Sequence, residues 1–390
     1  MNAKTQERKF KQTEIGEMPK SWEIKAFDKA VNNNLNESKD SELKSSYKTN
    51  GLYPIVDQGN DFIAGYTDDE SKVYKECIPI IIFGDHTRVF KYVDFPFVTG
   101  ADGTKLIKAN EEIYNPKFLY YAFKSINIPN RGYNRHFKIL KDYFLPCPPK
   151  TEQEKIAEVL TKIQKAVENQ EKLVKNLKEL KSATMAKLFR EGLNGEPLKQ
   201  TEIGEIPKSW EVMRLGEIVD EIFAGGDVPK NNFSKLITDE YKIPIYTNGE
   251  KKQGLYGYTN IIKVSKPSLT ISSRGTIGYC VLREKPYFPA IRLIVILPNL
   301  NIVSLYYLKF AIEINNFEKY FDKSPIPQLT VPMAKRIIIP LPNKDEQEEI
   351  ANILTSIDNK IEIEGKKLEV YNEFFSSTLN QLMTGKIRVN

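Results

Sequence analysis

Residues 11–23 read KQTEIGEMPKSWE, and residues 199–211 read KQTEIGEIPKSWE. One position differs, Met18 against Ile206, and the copies lie 188 residues apart in a chain of 390. Both tryptophans of the protein, Trp22 and Trp210, fall inside them. A phrase written twice at about half the chain length points to internal duplication, which is tested before any single motif is believed.

The duplication extends beyond the phrase. PPKTEQEKIAEVLTKIQKAVE from Pro148 matches PNKDEQEEIANILTSIDNKIE from Pro342, and SATMAKLFREG from Ser182 matches SSTLNQLMTGK from Ser376, both at an offset of 194. Between these echoes the likeness is weaker. YPIVDQGNDFIAGYTD (53–68) resembles IPIYTNGEKKQGLYGYTN (243–260), and FLYYAFKS from Phe118 resembles SLYYLKFA from Ser304. The repeating unit is thus a near-identical linker, a diverged globular part and a similar helix.

The helices are read from spacing. Ile156, Leu160, Ile163, Val167, Gln170, Val174, Leu177, Lys181, Thr184 and Leu188 alternate four and three apart, the a/d seam of a coiled coil. Ile350, Leu354, Ile357, Ile361, Glu364, Leu368, Tyr371, Phe375, Thr378 and Leu382 keep the same register. Thr151 with Glu154, and Asp345 with Glu348, have capping-box spacing. Gly192 and Gly195 follow the first helix and Gly385 the second. A helix of about 38 residues is about 57 Å long. Such an apolar seam needs a partner: each helix packs on its own domain, or the two pack on each other. Matching length and register favour the second, antiparallel, with the globular parts at opposite ends. That would bring TGKIRVN (384–390) to the N-terminal linker in a circular, pseudo-twofold molecule.

The expected division is therefore a linker at 1–23, a globular domain at 24–147, a long helix and linker at 148–198, a linker repeat and second domain at 199–341, and a long helix at 342–390. In the globular parts, IPIIIF (78–83), SLTIS (268–272), LIVIL (293–297) and RIIIPLP (336–342) read as buried strands. Helical segments are expected around Pro116–Lys124 and Val303–Glu313. The fold class is α+β, two α/β globular domains joined by two long antiparallel coiled-coil helices.

Composition narrows the function. The net charge is +6, which permits a polyanionic partner without requiring one. No stretch approaches the roughly 20 apolar residues of a membrane span, and MNAKTQERKFKQ lacks the apolar core of a signal peptide. Cys77, Cys147 and Cys280 are far apart and odd in number, as expected of buried thiols in a reducing cytoplasm. With only His86 and His136 as histidines, no zinc site is expected.

Polar loops interrupt the strands at 83–91, 100–105 and 130–138 in the first domain, and at 224–230, 271–278 and 322–330 in the second. Their Arg, Lys, Asn, Gln, Thr and Ser side chains suit base edges and phosphates, and their Gly, Asp, Asn and Pro suit ordinary turns.

The linker TEIGEIPKSWEVMRLGEI, the helix start PPKTEQEKIAEVL and the two-half layout resemble the specificity (S) subunit of type I restriction–modification enzymes, over essentially the whole chain. The resemblance implies a non-catalytic, cytoplasmic subunit. Its two target-recognition domains each read one half of a bipartite, asymmetric site in double-stranded DNA, and the long helices set the spacing. It implies two methyltransferase (M) subunits as partners, which carry S-adenosylmethionine, and restriction (R) subunits, which use ATP and Mg. No cofactor is expected on this chain. For base and phosphate contact the candidates are His86, Thr87, Arg88, Lys105, Arg131, Asn134, Arg135 and His136 in the first domain, and Arg274, Thr276, Arg292, Lys323 and Gln328 in the second. Trp22 and Trp210 are expected as packing anchors at the joints.

Enzyme signatures are missing from the sequence. There is no Asn/Asp-Pro-Pro-aromatic tetrapeptide, no GxxxxGK[ST] loop and no GxSxG elbow, while AGGD (224–227) and EYK (240–242) are too short to weigh. The alternative of another class is a coiled-coil scaffold with two protein-binding heads, which salt-dependent DNA binding would discriminate.

Overall fold

A computed structural model describes residues 10–32, 41–75, 78–100, 103–130, 132, 135–321 and 327–389. Contacts divide the chain into two units, Met1–Glu171 with Lys366–Asn390, and Lys172–Gly365. Each unit therefore takes chain from both halves of the sequence. No helix among the described residues is long and apolar enough to cross a membrane.

The repeated phrase folds the same way in both units. In the first, Phe10–Thr13 pairs antiparallel with Gly16–Pro19, and in the second Leu198–Thr201 pairs with Gly204–Pro207. The turn ends on a glycine because its φ is +104° at Gly16 and +108° at Gly204, a backbone region that side chains with a Cβ avoid. The threonine at the turn start donates to that glycine's carbonyl, Thr13 at 2.6 Å and Thr201 at 2.8 Å. A tight turn follows, closed by Trp22 N–H on Pro19 O and by Trp210 N–H on Pro207 O.

The chain then enters each globular domain on a strand that pairs with the domain's last one. Glu23–Ala26 pairs with Phe144–Cys147, and Glu211–Arg214 with Ile338–Leu341. Entry and exit are thus tied together beside the long helices. Within the first domain one four-stranded antiparallel sheet runs Val31–Asn32, Thr104–Ala109, Ile80–Gly84, Phe90–Val93. Its counterpart runs Val219–Ala224, Ile294–Pro298, Ser268–Ile271, Cys280–Arg283. The apolar runs become central strands because both faces are covered, and every residue of Ile80–Gly84 and of Ser268–Ile271 is buried. A smaller sheet built on the hairpin Tyr53–Val56/Gly65–Thr67 corresponds to one built on Ile243–Tyr246/Leu255–Thr259.

One helix of nine residues packs on each domain, Pro116–Lys124 and Leu305–Glu313. Their equivalence differs from the one the sequence suggests. The N-caps are Asn115 and Ser304, and the N–H of each donates to the same kind of partner, Gln153 Oε1 at 2.7 Å and Gln347 Oε1 at 2.8 Å. The caps are 189 residues apart, so pairing FLYYAFKS with SLYYLKFA at 186 is three residues out of step. A shared tyrosine pair misleads there, and the cap contacts decide.

The long helices are Lys150–Glu191 and Lys344–Met383, slightly longer than expected at 42 and 40 residues. None of the twenty seam positions is exposed. Leu173, Leu180, Ile363, Val370 and Phe374 are apolar and exposed off the seam. The capping boxes are not where the spacing puts them. Asn343 caps the second helix, its Oδ1 accepting from Glu346 N–H at 3.0 Å, and Thr151, Glu154, Asp345 and Glu348 lie exposed within the first turns. The buried members of TEQE and DEQE are the middle ones, Glu152, Gln153, Glu346 and Gln347.

Ile156, Ala157 and Leu160 share one core with Leu379, Leu382, Met383, Met18 and Trp22. In the second unit, Met185, Leu188 and Phe189 share a core with Ile350, Ala351, Leu354, Ile206 and Trp210. Each unit thus joins the start of one long helix to the end of the other, and both to the domain. The C-terminal segment reaches the N-terminal linker: Arg388 pairs with Glu152 and lies 5.6 Å over the Trp22 ring.

Candidate nucleic-acid interface

The polar loops of the first domain meet at one buried side chain, Asp85. Its N–H donates to Gly103 O at 2.8 Å, its carbonyl accepts from His136 N–H at 3.0 Å, and its Oδ1 accepts from Phe137 N–H at 2.7 Å. Loop 83–91 and the described parts of 100–105 and 130–138 are fastened together by these bonds. His136 is fully buried and its Nδ1 lies 2.9 Å from the same carbonyl. This corrects its assignment as a surface contact: it is a core residue that positions the exposed Arg135 beside it.

The second domain gathers its loops at Asn248. Its Oδ1 accepts from Ser273 N–H at 2.7 Å, and its Nδ2 donates to Ile291 O at 2.6 Å. Ser273 O in turn accepts from Leu329 N–H at 2.9 Å, and Ile291 N–H donates to Gly226 O at 2.8 Å. Loops 224–230, 271–278 and the described part of 322–330 are thereby linked. Gln58 holds the corresponding place in the first domain: its Oε1 accepts from His86 N–H at 3.2 Å, and its carbonyl accepts from the Thr87 hydroxyl.

On this frame the candidate residues separate by exposure. Arg135, Arg274, Thr276 and Arg292 are exposed, while His86, Thr87, Arg88, Lys105 and Gln328 are half-buried. Arg274 donates to Gln328 Oε1 at 2.8 Å, so these two, 54 residues apart, form one polar patch. Arg88 is tied inward, its guanidinium donating to Ile128 O at 2.9 Å. Lys105 lies on the strand opposite Phe83. Arg131, Asn134 and Lys323 lie outside the described residues, as does Cys77. Cys147 is half-buried and Cys280 buried, and burial raises both thiols above their ordinary pKa.

Arg88 (φ +64°) and Arg292 (φ +60°) adopt left-handed backbone, which costs a non-glycine residue on the order of 1–3 kcal/mol. Each is held there by a main-chain bond, Arg88 N–H to Gly84 O at 2.7 Å and Arg292 N–H to Gly225 O at 3.0 Å. Buried cations stiffen the loops next to them. Lys91 donates to Asp57 O at 2.8 Å, and burial, partly offset by Asp57 and Asp61, lowers its pKa. Arg283 stacks 3.6 Å over Tyr246 and donates to Gln253 O at 2.6 Å.

Sequence reasoning missed Gln58, Asn248, Lys91 and Arg283. The signal for the first two was present in the repeat, since DQG and TNG follow equivalent strands at an offset of 190. Exposed arginines on stiff loops can donate in fixed directions to phosphate or to base edges. Among the described residues no group of three His, Cys, Asp or Glu side chains could hold a metal ion.

The family model described as type I restriction modification DNA specificity domain matches twice, at residues 19–179 and 207–372. The chain is 29% identical to the putative type I restriction enzyme MjaX specificity subunit of Methanocaldococcus jannaschii, covering 98% of this chain and 97% of that protein. It is 28% identical to a putative type I specificity subunit of Mycoplasma pneumoniae, over 74% of this chain and 79% of the relative. Its fold resembles that of the S subunit of a type I restriction–modification system from M. genitalium, with a TM-score of 0.66 at 20% identity, covering 93% and 96% of the two chains.

Proposed function

Because the chain belongs to the family of type I restriction–modification DNA specificity subunits, we propose that its two globular domains read two different half-sites of one bipartite, asymmetric duplex sequence. The observation that carries this reading is the contrast within the duplication. The joints repeat closely, Trp for Trp and Glu for Glu, while the loops gathered at Asp85 and at Asn248 carry different side chains. A frame used twice with different tips suits two readers of unlike sequence. Arg135, with the half-buried His86, Thr87, Arg88 and Lys105, serves the first half-site, and Arg274, Thr276, Arg292 and Gln328 the second.

In this reading the long helices form an antiparallel coiled coil that sets the unread gap between half-sites. The chain is non-catalytic and cytoplasmic. Two methyltransferase subunits dock on it and supply S-adenosylmethionine, and restriction subunits bring ATP and Mg. Inserting four residues into each helix adds about 6 Å, or about 1.8 base pairs, so the gap should lengthen; an unchanged gap refutes the spacer role.

The test is binding of the assembled S–M complex to duplexes over a salt series. Phosphate contact gives a steep loss of affinity with salt, and one bipartite sequence should bind tightly. Salt-independent or absent DNA binding favours the scaffold reading, in which the heads bind proteins.

A further inference from the structure

Where each domain helix meets the two long helices, four equivalent positions carry opposite chemistry in the two units. In the second unit Lys309, Glu313, Asp358 and Lys181 close a ring of ion pairs. Lys309 lies 2.8 Å from Asp358 and 2.9 Å from Glu313, and Lys181 lies 2.7 Å from Asp358 and 3.1 Å from Glu313. All four side chains are mostly buried, 16–29% exposed.

The counterparts in the first unit follow from the helix starts. Gln164 and Asp358 each lie 14 residues past the first residue of their long helix, and Phe375 and Lys181 each lie 31 past it. Tyr120 and Lys309 are each five residues past their N-cap, and Lys124 and Glu313 each nine. The four in the first unit form no ion pair with one another. Lys124 sits 5.0 Å over the Phe375 ring and 5.5 Å over Tyr120, and Tyr120 lies beside Gln164. Tyr121 adds an edge contact to Phe375, with ring centroids 6.3 Å apart.

In each set, three residues come from one half of the sequence and the fourth from the other half: Phe375 completes the first set, Lys181 the second. We propose that these sites are pairing determinants, matched so that the first half of the chain packs with the second half and not with another copy of itself. Two first halves together would place Lys181 beside Lys124, with no carboxylate among the four. Two second halves would place Phe375 against Glu313 and Asp358, which would then share one lysine. The second mismatch leaves mostly buried carboxylates short of a partner, and the first sets Lys181 beside the exposed, like-charged Lys124, on which Glu168 and Glu171 also act, so like–like packing is disfavoured most where two second halves meet.

The intact chain can be made to carry both mismatches at once. The exchange K181F/F375K keeps composition and chain length and gives each unit the residue that like–like packing would give it. Hydrogen exchange of the full-length protein at native pH reads the local cost. Amides flanking position 181 should exchange at least about tenfold faster in the exchanged chain, corresponding to about 1.4 kcal/mol, and those flanking position 375 faster by a smaller factor. Adding K309Y, E313K and D358Q to K181F gives the second unit the first unit's chemistry, and should restore slow exchange around position 181. A change below about threefold, or no rescue by that quadruple variant, overturns the proposal. Should the exchanged chain not fold, a cycle of K181M, D358N and the double variant decides, with coupling below about threefold overturning it.

Discussion

The Trp22 indole N–H donates to the Glu152 carboxylate at 3.0 Å across 130 residues of sequence, with both groups buried. Trp210 and Glu346 repeat the bond at 3.0 Å in the second unit. These twin bonds lock linker to helix start at each joint. They differ in what takes the second carboxylate oxygen, Arg388 at one joint and the Leu193 N–H, at 2.9 Å, at the other.

Removing the carboxylate leaves a buried indole donor unpaired, together with the Arg388 guanidinium at the first joint and the Leu193 N–H at the second. Glu152→Ala and Glu346→Ala should each destabilise by about 2–3 kcal/mol, seen as a lower denaturant midpoint. Glu152→Ala should cost more, because it removes two charged bonds from Arg388 where Glu346→Ala removes one main-chain bond from Leu193. Equal losses at the two joints would contradict the role assigned to Arg388.

Gly192 and Gly385 end the long helices with φ of +62° and +64°. A Cβ on Gly385 would stand 2.3 Å from Pro19 Cγ, and one on Gly192 would stand 2.8 Å from Glu346 Oε1. Alanine at either position should cost more than the roughly 1 kcal/mol of the conformational term alone. Gly195, also left-handed at φ +61°, has open space around it, so Gly195→Ala should cost no more than that term. Thermal melts of the three variants check the order.

Arg274→Ala removes an exposed guanidinium and its bond to Gln328. Discrimination at one half-site should fall by about 1–3 kcal/mol while the other half-site is read as before. Arg135→Ala should do the same to the opposite half-site. Loss spread evenly over all sequences, with a shallower salt slope, would recast either residue as a phosphate contact. A competition assay with duplexes altered in one half-site at a time separates the two outcomes.

The ionic ring sets a pH dependence. Burial alone raises the Asp358 pKa, but hydrogen bonds and charges from Lys181 and Lys309 outweigh it, so the net shift is downward. Burial likewise lowers Lys309, and Glu313 and Asp358 outweigh that, so its net shift is upward. A depressed carboxyl contributes stability that is present above its unfolded value, about 3.9, and lost as pH falls through its folded value. A raised lysine contributes below about 10.4 and loses that contribution as pH rises through its folded value. The stability difference between the native chain and Asp358→Asn should therefore be flat from about pH 5 to 9 and shrink at more acidic pH. A difference that grows on acidification would contradict the ring.

The duplication, the long helices and the buried strands were legible because period and apolar spacing are local properties. TEQE misled because its exposed Thr151 and Glu154 have cap spacing, while its work is done by Glu152 and Gln153 through contacts more than 35 residues away. His136 looked like a surface group because its neighbours are polar, yet it closes a buried bond to Asp85. Gln58 and Asn248 were passed over because an amide before glycine reads as a turn, and only the fold shows which loops it ties.

The most direct test maps methylated adenines in cells that carry type I methyltransferase genes, with and without an intact gene for this chain. One new motif should depend on it, made of two short, unlike specified parts separated by a fixed unspecified gap, and Arg274→Ala should relax one part alone. A methylation pattern unchanged by deletion, or a single contiguous motif, would contradict a subunit that reads DNA with two different heads.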